Sequence, residues 1–467
     1  MQNLFYDCYA LDERCYTLYG LSEDILMEHA AMGMANYIKQ RYGGEKKICI
    51  LCGPGNNGAD GIALARQLHG LFDVFISLPY GAKSMMAKLQ LDRFERVGGV
   101  VGELMPCEII VDALFGAGLK KELDSTSKAL INKANSMDCA KIACDIPTGV
   151  DAKGGVVDTA FKADITFTMG ALKTALFLDE AIDYVGKPVV VDLGISRRLY
   201  EKESFIKLLE KKDFTPPIRT SLSSHKGNFG HLNVLAGQKQ GAAILSSLAA
   251  MRFGSGLVTV VCNEAIEVPY ELMKDTHVTP SCDAIAIGMG LGSEFHDSFL
   301  ESEVLAKDCP MVLDADGLSN GVLLKALEQK DRDLVLTPHP KEFCKLLASF
   351  GVECDVADLQ KDRIGYVKEF TKRYNHTLIL KGACTIIAKQ NDIYINPYAC
   401  SALSQAGSGD VLSGVVASLL GQGYSGLEAA INGSLALSFA AQSYEGTNYS
   451  MSAKDLLVLL KTLGKGN

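Results

Sequence analysis

The feature that most constrains this chain is a rhythm in which short, continuously apolar runs alternate with longer segments of helical spacing. KKICILC, LFDVFISLP, CEIIVDALFG, CAKIACDIPTG, ADITFTMG and KPVVVDLG each read as a strand buried on both faces. Such alternation predicts a parallel sheet covered by helices, because the chain must cross back over the sheet before each new strand can pair. Ahead of these runs, SEDILMEHAAMGMANYIKQRYG has helical spacing, with Ser22 as its expected N-cap.

Near residues 200–225 the rhythm stops. YEKESFIKLLEKKDFTPPIRTSLSSHKGNFG is charged, then carries Pro216 and Pro217, then turns Ser-rich, which predicts a domain boundary. Beyond it the alternation restarts with HLNVLAG, GLVTVVC, DAIAIGMGLG, CPMVLDADGL, DLVLTPHP and TLILKGACT, followed by the hairpin-like TIIAKQNDIYI. No repeat relates the halves. The expectation is two different α/β domains, residues 1–215 and 222–467, and a chain of 467 residues can bury both cores.

A formal charge of −9 leaves no broad basic surface for nucleic acid. Phosphates must then be held locally, by backbone N–H groups, helix N-termini or a cation. The N-terminus lacks a secretory pattern, and no run of about eighteen apolar residues occurs, so a cytoplasmic protein without a membrane partner is expected. The 14 scattered cysteines suit a reducing compartment. Cys49 and Cys52 form C-x-x-C inside a strand, where residues three apart face opposite sides, which argues against a redox or zinc pair.

Ligands of open parallel sheets gather beyond the carboxyl ends of the strands. After KICILC comes GPGNNGADG, whose Gly53, Gly55 and Gly58 fit G-x-G-x-x-G. A hydride-transfer site of that kind expects an acid at the end of the next strand, but that strand ends in Ser77, Pro79 and Tyr80. No G-K-[ST] follows, which excludes a P-loop. After EIIV comes Asp112 with Gly116 and Gly118, and after KIAC comes Asp145 with Thr148. Asn57, Asp112 and Thr148 are hard oxygen donors at one sheet edge, suited to an alkali or alkaline-earth cation. Each alone also reads as a helix or turn cap.

Taken together, GPGNNGADG, VDALFGAGL, DIPTGVDA and the upstream LMEHA resemble the NAD(P)H-hydrate epimerase family across residues 1–215. The resemblance implies a Rossmann-like parallel-sheet sandwich that binds a hydrated nicotinamide nucleotide beside a potassium ion. It implies Asn57, Asp112 and Thr148 as potassium ligands. It implies Asn56, Asn57, Gly58, Ala59, Asp60, Gly116, Ala117, Gly118, Leu119, Lys120, Lys121, Glu122 and Asp145 as substrate contacts. Ala59 and Thr148 depart from the family's usual GGDG and IPSG while keeping small size and the hydroxyl. The hydrate is a hemiaminal, with its hydroxyl on C6 beside the ring nitrogen. Loss and return of that hydroxyl through a nitrogen-stabilised cation inverts the centre, with a carboxylate relaying the proton. Asp145 is the candidate, and the sequence does not separate it from Asp112.

In the second half GSGD, residues 407–410, opens the helix VLSGVVASLL, whose free N–H groups make an anion site at the positive end of the dipole. Alone this motif is a capped turn. It has company at other strand ends: KGACT at 381–385, TPHPKE at 337–342, DAD at 314–316 and GMGLG at 288–292. With HKGNFGHLNVLAG and GAAILSSLAAMRFGSGLVTV, these stretches resemble the NAD(P)H-hydrate dehydratase branch of the ribokinase-like superfamily over about residues 222–463. The resemblance implies Lys381, Gly382, Ala383, Cys384, Thr385 and Gly409 on ADP or ATP with Mg2+. It implies Ala243, Gly290, His339 and Asp410 on the hydrate. Met289 stands where the family usually has proline.

Asp410 is expected to take the proton of the C6 hydroxyl as that oxygen attacks phosphorus, with the turn at 407–409 stabilising the developing charge. Phosphate then leaves and the C5=C6 double bond returns. The expectation is a bifunctional repair enzyme acting on small molecules and forming a homo-oligomer, as such folds often do. The alternative is a vitamin-precursor kinase, such as a hydroxyethylthiazole kinase, fused to a non-catalytic nucleotide-binding module.

Overall fold

The computed structural model describes residues 1–118, 122–156, 158–264 and 266–464. Two compact units divide the chain: Asn3–Ile206 forms one, and Met1–Gln2 with the chain from Lys207 onward forms the other. The division falls ahead of Pro216 and Pro217, because the residues just before them pack into the second core. Phe214 sets its ring edge-on against Phe439 at 5.5 Å, and the Thr215 N–H donates to Asn432 Oδ1. Residues 207–215, expected in the first half, therefore belong with the second.

In the first unit the strands are β1 (Lys47–Cys52), β2 (Asp73–Ser77), β3 (Val100–Val101), β4 (Ile109–Ala113), β5 (Ala140–Cys144), β6 (Ile165–Met169) and β7 (Lys187–Val191). They lie in the order β3-β2-β1-β4-β5-β6-β7, every neighbour parallel. The order reverses between β1 and β4, which opens a crevice at their carboxyl ends. Both faces of the sheet are dry: Ile48, Ile50, Cys52 and Val111 pack into one layer, Cys49, Leu51, Phe75 and Ile110 into the other. Cys49 and Cys52 thus face opposite layers, as their spacing in a strand requires.

Helix α1 (Tyr9–Leu18) and helix α2 (Glu23–Arg41) precede the sheet. Ser22 Oγ accepts the Ile25 N–H to cap α2, and Met27, Ala31, Met34, Ala35 and Ile38 bury one helical face in the core. Helix α3 (Asn56–Leu68) leaves directly from the turn after β1.

The second unit carries β8 (His231–Leu235), β9 (Leu257–Val261), β10 (Met273–Asp275), β11 (Ala284–Ile287), β12 (Met311–Leu313), β13 (Leu334–Leu336), β14 (Thr377–Leu380), β15 (Thr385–Lys389) and β16 (Asp392–Asn396). These run β16-β15-β14-β13-β12-β11-β8-β9-β10 across the sheet. Pairing is parallel from β14 to β10 and antiparallel through β14-β15-β16. Three helices matter for the site: α4 (Gln240–Arg252), α5 (Pro340–Ala348) and α6 (Ser408–Gly421). Helix α6 buries Val411, Leu412, Val415, Val416, Leu419 and Leu420, so it is apolar almost all round and runs through the core. Gly414 lets it press on α4, since a Cβ there would lie 2.0 Å from the Ser246 carbonyl oxygen. Among the described residues no helix is long and apolar enough to cross a membrane.

Candidate active sites

The first site occupies the crevice beyond β1, β4 and β5, a cavity of about 460 Å³. The glycine turn after β1 is a packing device. A Cβ on Gly53 would stand 1.7 Å from the Leu114 carbonyl oxygen, and one on Gly58 would stand 1.9 Å from that of Gly53. Gly55 differs: nothing lies within 4 Å of where its Cβ would be, and it lines the cavity with Asn56, Asn57 and Asp60. Gly58 and Ala59 turn into the buried layer instead.

Asp112, fully buried at the end of β4, accepts the Thr148 N–H at 2.7 Å, the Thr148 hydroxyl at 2.8 Å and the Leu114 N–H at 3.2 Å. Burial pushes its carboxyl up to about 6, with the Thr148 and Leu114 hydrogen bonds acting against that rise. Thr148 Oγ1 also lies 3.2 Å from the Phe115 carbonyl oxygen, yet one hydroxyl has one proton for two acceptors. Asn57 Oδ1 and Nδ2 are both buried with no hydrogen-bond partner. The carboxylate, hydroxyl and amide oxygens of Asp112, Thr148 and Asn57 are the kind of donors a hard cation takes. Among the described residues no group of three or more His, Cys, Asp or Glu could hold a metal.

Asp145 follows β5 with φ +71, a conformation rare for any residue but glycine. The Ile146 N–H closes a tight turn onto the Cys144 carbonyl, and this aims the carboxylate into the cavity. Its partner is Lys173, a buried cation whose Nζ lies 2.5 Å from Asp145 Oδ1 and 3.2 Å from Thr168 Oγ1. Asp145 Oδ2 accepts the Ala117 N–H, and Gly116 and Gly118 line the same wall. Asp60 faces this pair with no hydrogen bond of its own among the described residues. Burial first, then the charge of Asp145, raises its carboxyl well above the ordinary range.

Helix α1 completes the wall with Tyr9, Asp12 and Tyr16, and Asn56 Nδ2 donates to Glu23. Leu119, Lys120 and Lys121 lie outside the described residues, and Glu122 is exposed beyond the cavity lining. Neither Lys173 nor α1 was in the sequence expectation. Lys173 lies four residues past the end of β6, so extending the inspection of strand ends to that strand finds it. Nothing local marks α1.

The second site lies beyond β12, β13 and β14. Asp314 follows β12 almost fully buried, accepting Lys381 Nζ at 3.0 Å and Ser413 Oγ at 2.7 Å. Ala315 next to it has φ +45. Lys381 also lies 3.7 Å from Glu342 Oε2. Burial opposes its charge, but Asp314 and Glu342 hold the ammonium above its ordinary range. Gly407, with φ +91, turns the chain into α6, and Asp410 sits in the first turn. Burial and the charge of Asp314 raise the Asp410 carboxyl to about 6, with Lys381 acting the other way. A Cβ on Gly409 would stand 3.4 Å from Lys381 Nζ, so Gly409, Lys381, Asp314 and Asp410 form one cluster.

His339 caps α5: its Nδ1 accepts the Glu342 N–H while the His339 N–H donates to Glu342 Oε2. It borders a smaller cavity of about 220 Å³ with Asp316, Lys341 and Glu342. Gly290, with φ +64, lies against Lys239, and Gly292 donates to Asp316 Oδ2. Gly382 and Ala383 are exposed, whereas the Cys384 side chain is in the core and leaves only its backbone for a ligand. Thr385 is half-buried, its hydroxyl near the Gly382 carbonyl. Ala243 is fully buried inside α4. Ser413, which fixes Asp314, was not anticipated.

Two family models match the chain: "YjeF-related protein N-terminus" over residues 23–175 and "NAD(P)H-hydrate dehydratase" over residues 232–462. The bifunctional NAD(P)H-hydrate repair enzyme Nnr of Helicobacter pylori is 40% identical, over 97% of this chain and 98% of the relative. That of Dictyoglomus turgidum is 34% identical, over 96% and 95%. Among solved structures, the ADP/ATP-dependent NAD(P)H-hydrate dehydratase of Bacillus subtilis, co-crystallised with ATP/Mg2+, is 30% identical. It covers 53% of this chain and 92% of its own, with a TM-score of 0.45.

Proposed function

The chain belongs to the family of bifunctional NAD(P)H-hydrate repair enzymes, with an N-terminal epimerase half and a C-terminal ADP/ATP-dependent dehydratase half, and from that premise we propose how its residues divide the chemistry. One observation carries the reading. Each unit gathers, at its strand ends, a lysine–aspartate pair with one partner buried and a second carboxylate raised by burial: Lys173–Asp145 with Asp60, and Lys381–Asp314 with Asp410. Carboxylates in unlike environments are how one site serves both as acid and as charge stabiliser.

In the first site, Asp60 in its protonated form gives its proton to the C6 hydroxyl as that group leaves as water. The ring cation this creates faces Asp145, Asp12 and Glu23, an acidic wall whose buried cation is Lys173. Water adding from either face returns the proton to Asp60 and yields either epimer. A potassium ion held by Asn57, Asp112 and Thr148 would supply fixed positive charge that orients the substrate's oxygens.

In the second site the nucleotide phosphates lie over the N-terminus of α6, within reach of Lys381 and the exposed backbone at Gly382 and Ala383. Asp410 accepts the C6 hydroxyl proton as its oxygen attacks phosphorus. Asp314 and Ser413 act on Lys381 and so position rather than react. Phosphate departs with the C6–O electron pair to leave the nitrogen-stabilised ring cation, and loss of a C5 proton to water restores the C5=C6 bond of NADH or NADPH. The vitamin-kinase alternative leaves the first site, and relatives matching both halves, without a role.

Supplying the pure S hydrate with ATP or ADP and Mg2+ tests the division. Recovery of reduced-nicotinamide absorbance is expected from the wild type and from Asp145→Asn, and not from Asp410→Asn. Loss of recovery in a folded Asp145→Asn protein would contradict it.

A further inference from the structure

Cys282 and Cys309 stand at the starts of two neighbouring parallel strands, β11 and β12, at the end of the sheet away from the ligand loops. Their Sγ atoms are 3.5 Å apart, and the strands they precede are in register, Ile285 beside Met311. No disulfide joins them. Beside them lies Arg332, only 7% exposed. Its guanidinium donates to the Cys309 carbonyl at 2.7 Å, the Val304 carbonyl at 3.2 Å and Gln329 Oε1 at 3.1 Å. No carboxylate is within ion-pair distance of it among the described residues. A buried cation held by neutral oxygens at hydrogen-bond distance takes its counter-charge from further away, and for Arg332 the neighbours able to supply it are the Cys309 sulfur, when ionised, and Asp308.

We propose that Cys309 is a peroxide-reactive thiolate and Cys282 its resolving thiol, together a reversible dithiol–disulfide site in the second unit. The hydrogen bond from the Cys282 thiol, with the charges of Arg332 and Lys307, holds the Cys309 thiol below its ordinary range, against the effect of its burial. Cys309 is 7% exposed and Cys282 is partly exposed, so a peroxide reaches the pair from the Cys282 side. The Cys309 thiolate attacks the peroxide O–O bond, forming a sulfenic acid and releasing hydroxide. The Cys282 thiol then attacks that sulfur, and water leaves as the S–S bond forms. Two thiols lose two electrons and two protons, and one hydrogen peroxide becomes two waters. A thiol reductant reverses the step.

One other cysteine pair lacks these conditions. Cys107 and Cys139 also lie together, but Cys107 is held up at about 11. The nearby Lys141 ammonium is taken by the Met137 and Cys139 carbonyls. The cross-link would tie the starts of two strands whose other ends carry the 288–292 loop and Asp314.

The test treats the full-length protein with a small excess of hydrogen peroxide, then maps tryptic peptides without reduction. The expected result is a linked pair of peptides containing Cys282 and Cys309, with two thiols lost and both regained on dithiothreitol. Cys282→Ser should stop at a Cys309 sulfenic acid that dimedone traps. Oxidation elsewhere with the 282–309 link missing would overturn the proposal, as would an unlabelled Cys309 in folded Cys282→Ser.

Discussion

Asp410 is a carboxylate whose own surroundings set the pH at which it can work. Burial and Asp314 bring it to about 6, and the base form is the one lacking the proton. The dehydration rate should therefore rise with pH through about 6 and level off above it. Asp410→Asn should lower the rate by roughly 10²–10⁴-fold and abolish that limb. A limb that survives in the variant would assign it to another group. Lys173 makes a second case. Lys173→Ala leaves Asp145 at the cavity wall without its buried partner, which should destabilise the first unit by roughly 3–5 kcal/mol. Urea denaturation reads this, and unchanged stability with intact epimerisation would show the pair to be incidental. Asp145 and Asp410 were legible in the sequence because each lies inside a motif at a strand end. Lys173 was not, because it reaches the site only when the turn after β6 folds back, with the Thr174 N–H on the Phe5 carbonyl, a contact between residues far apart in the chain.

The glycine turn and its helix show what a motif can and cannot say. G-x-G-x-x-G fits residues 53–58, and the first and third glycines serve close backbone packing, as they do in dinucleotide folds. What the turn presents to the cavity, however, is Asn56, Asn57 and Asp60, not a bare phosphate cradle. Gly53→Ala should cost at least about 2–3 kcal/mol, because the Leu114 carbonyl occupies the space of the new methyl. Gly55→Ala should leave stability unchanged and slow epimerisation, since its methyl enters the cavity. Equal thermal midpoints for wild type and Gly53→Ala would refute this account of the turn. Potassium should raise the melting temperature over lithium at equal ionic strength, and Asn57→Ala should lose that increment. Equal increments in both proteins would remove Asn57 from the cation site. The strands and α3 were readable from their runs and spacing. Helix α1 was not, since its sequence mixes charge and aromatic residues with no clean apolar face, and its role depends on the cavity it walls.

At the scale of the molecule, both halves were readable as α/β units, and the compact units divide between Ile206 and Lys207, inside the 200–225 stretch. Proline and serine mark where regular structure stops, whereas a compact unit ends where side chains stop packing. Phe214 and Thr215, ahead of Pro216, pack with the second unit through Phe439 and Asn432. The two sites also differ in what they ask of the hydrate: one interconverts its epimers, the other consumes the S form. A chain holding both should repair the whole of a racemising pool, and a chain lacking the first should stall. The most direct measurement is the recovery of reduced-nicotinamide absorbance from a mixed-epimer NADH hydrate, given ADP or ATP, Mg2+ and potassium. Complete recovery by the wild type is expected, with Asp145→Asn stopping at the S fraction apart from slow spontaneous epimerisation. Wild-type recovery that stops at the S fraction would contradict the epimerase half of the account, and no recovery from folded protein would contradict the dehydratase half.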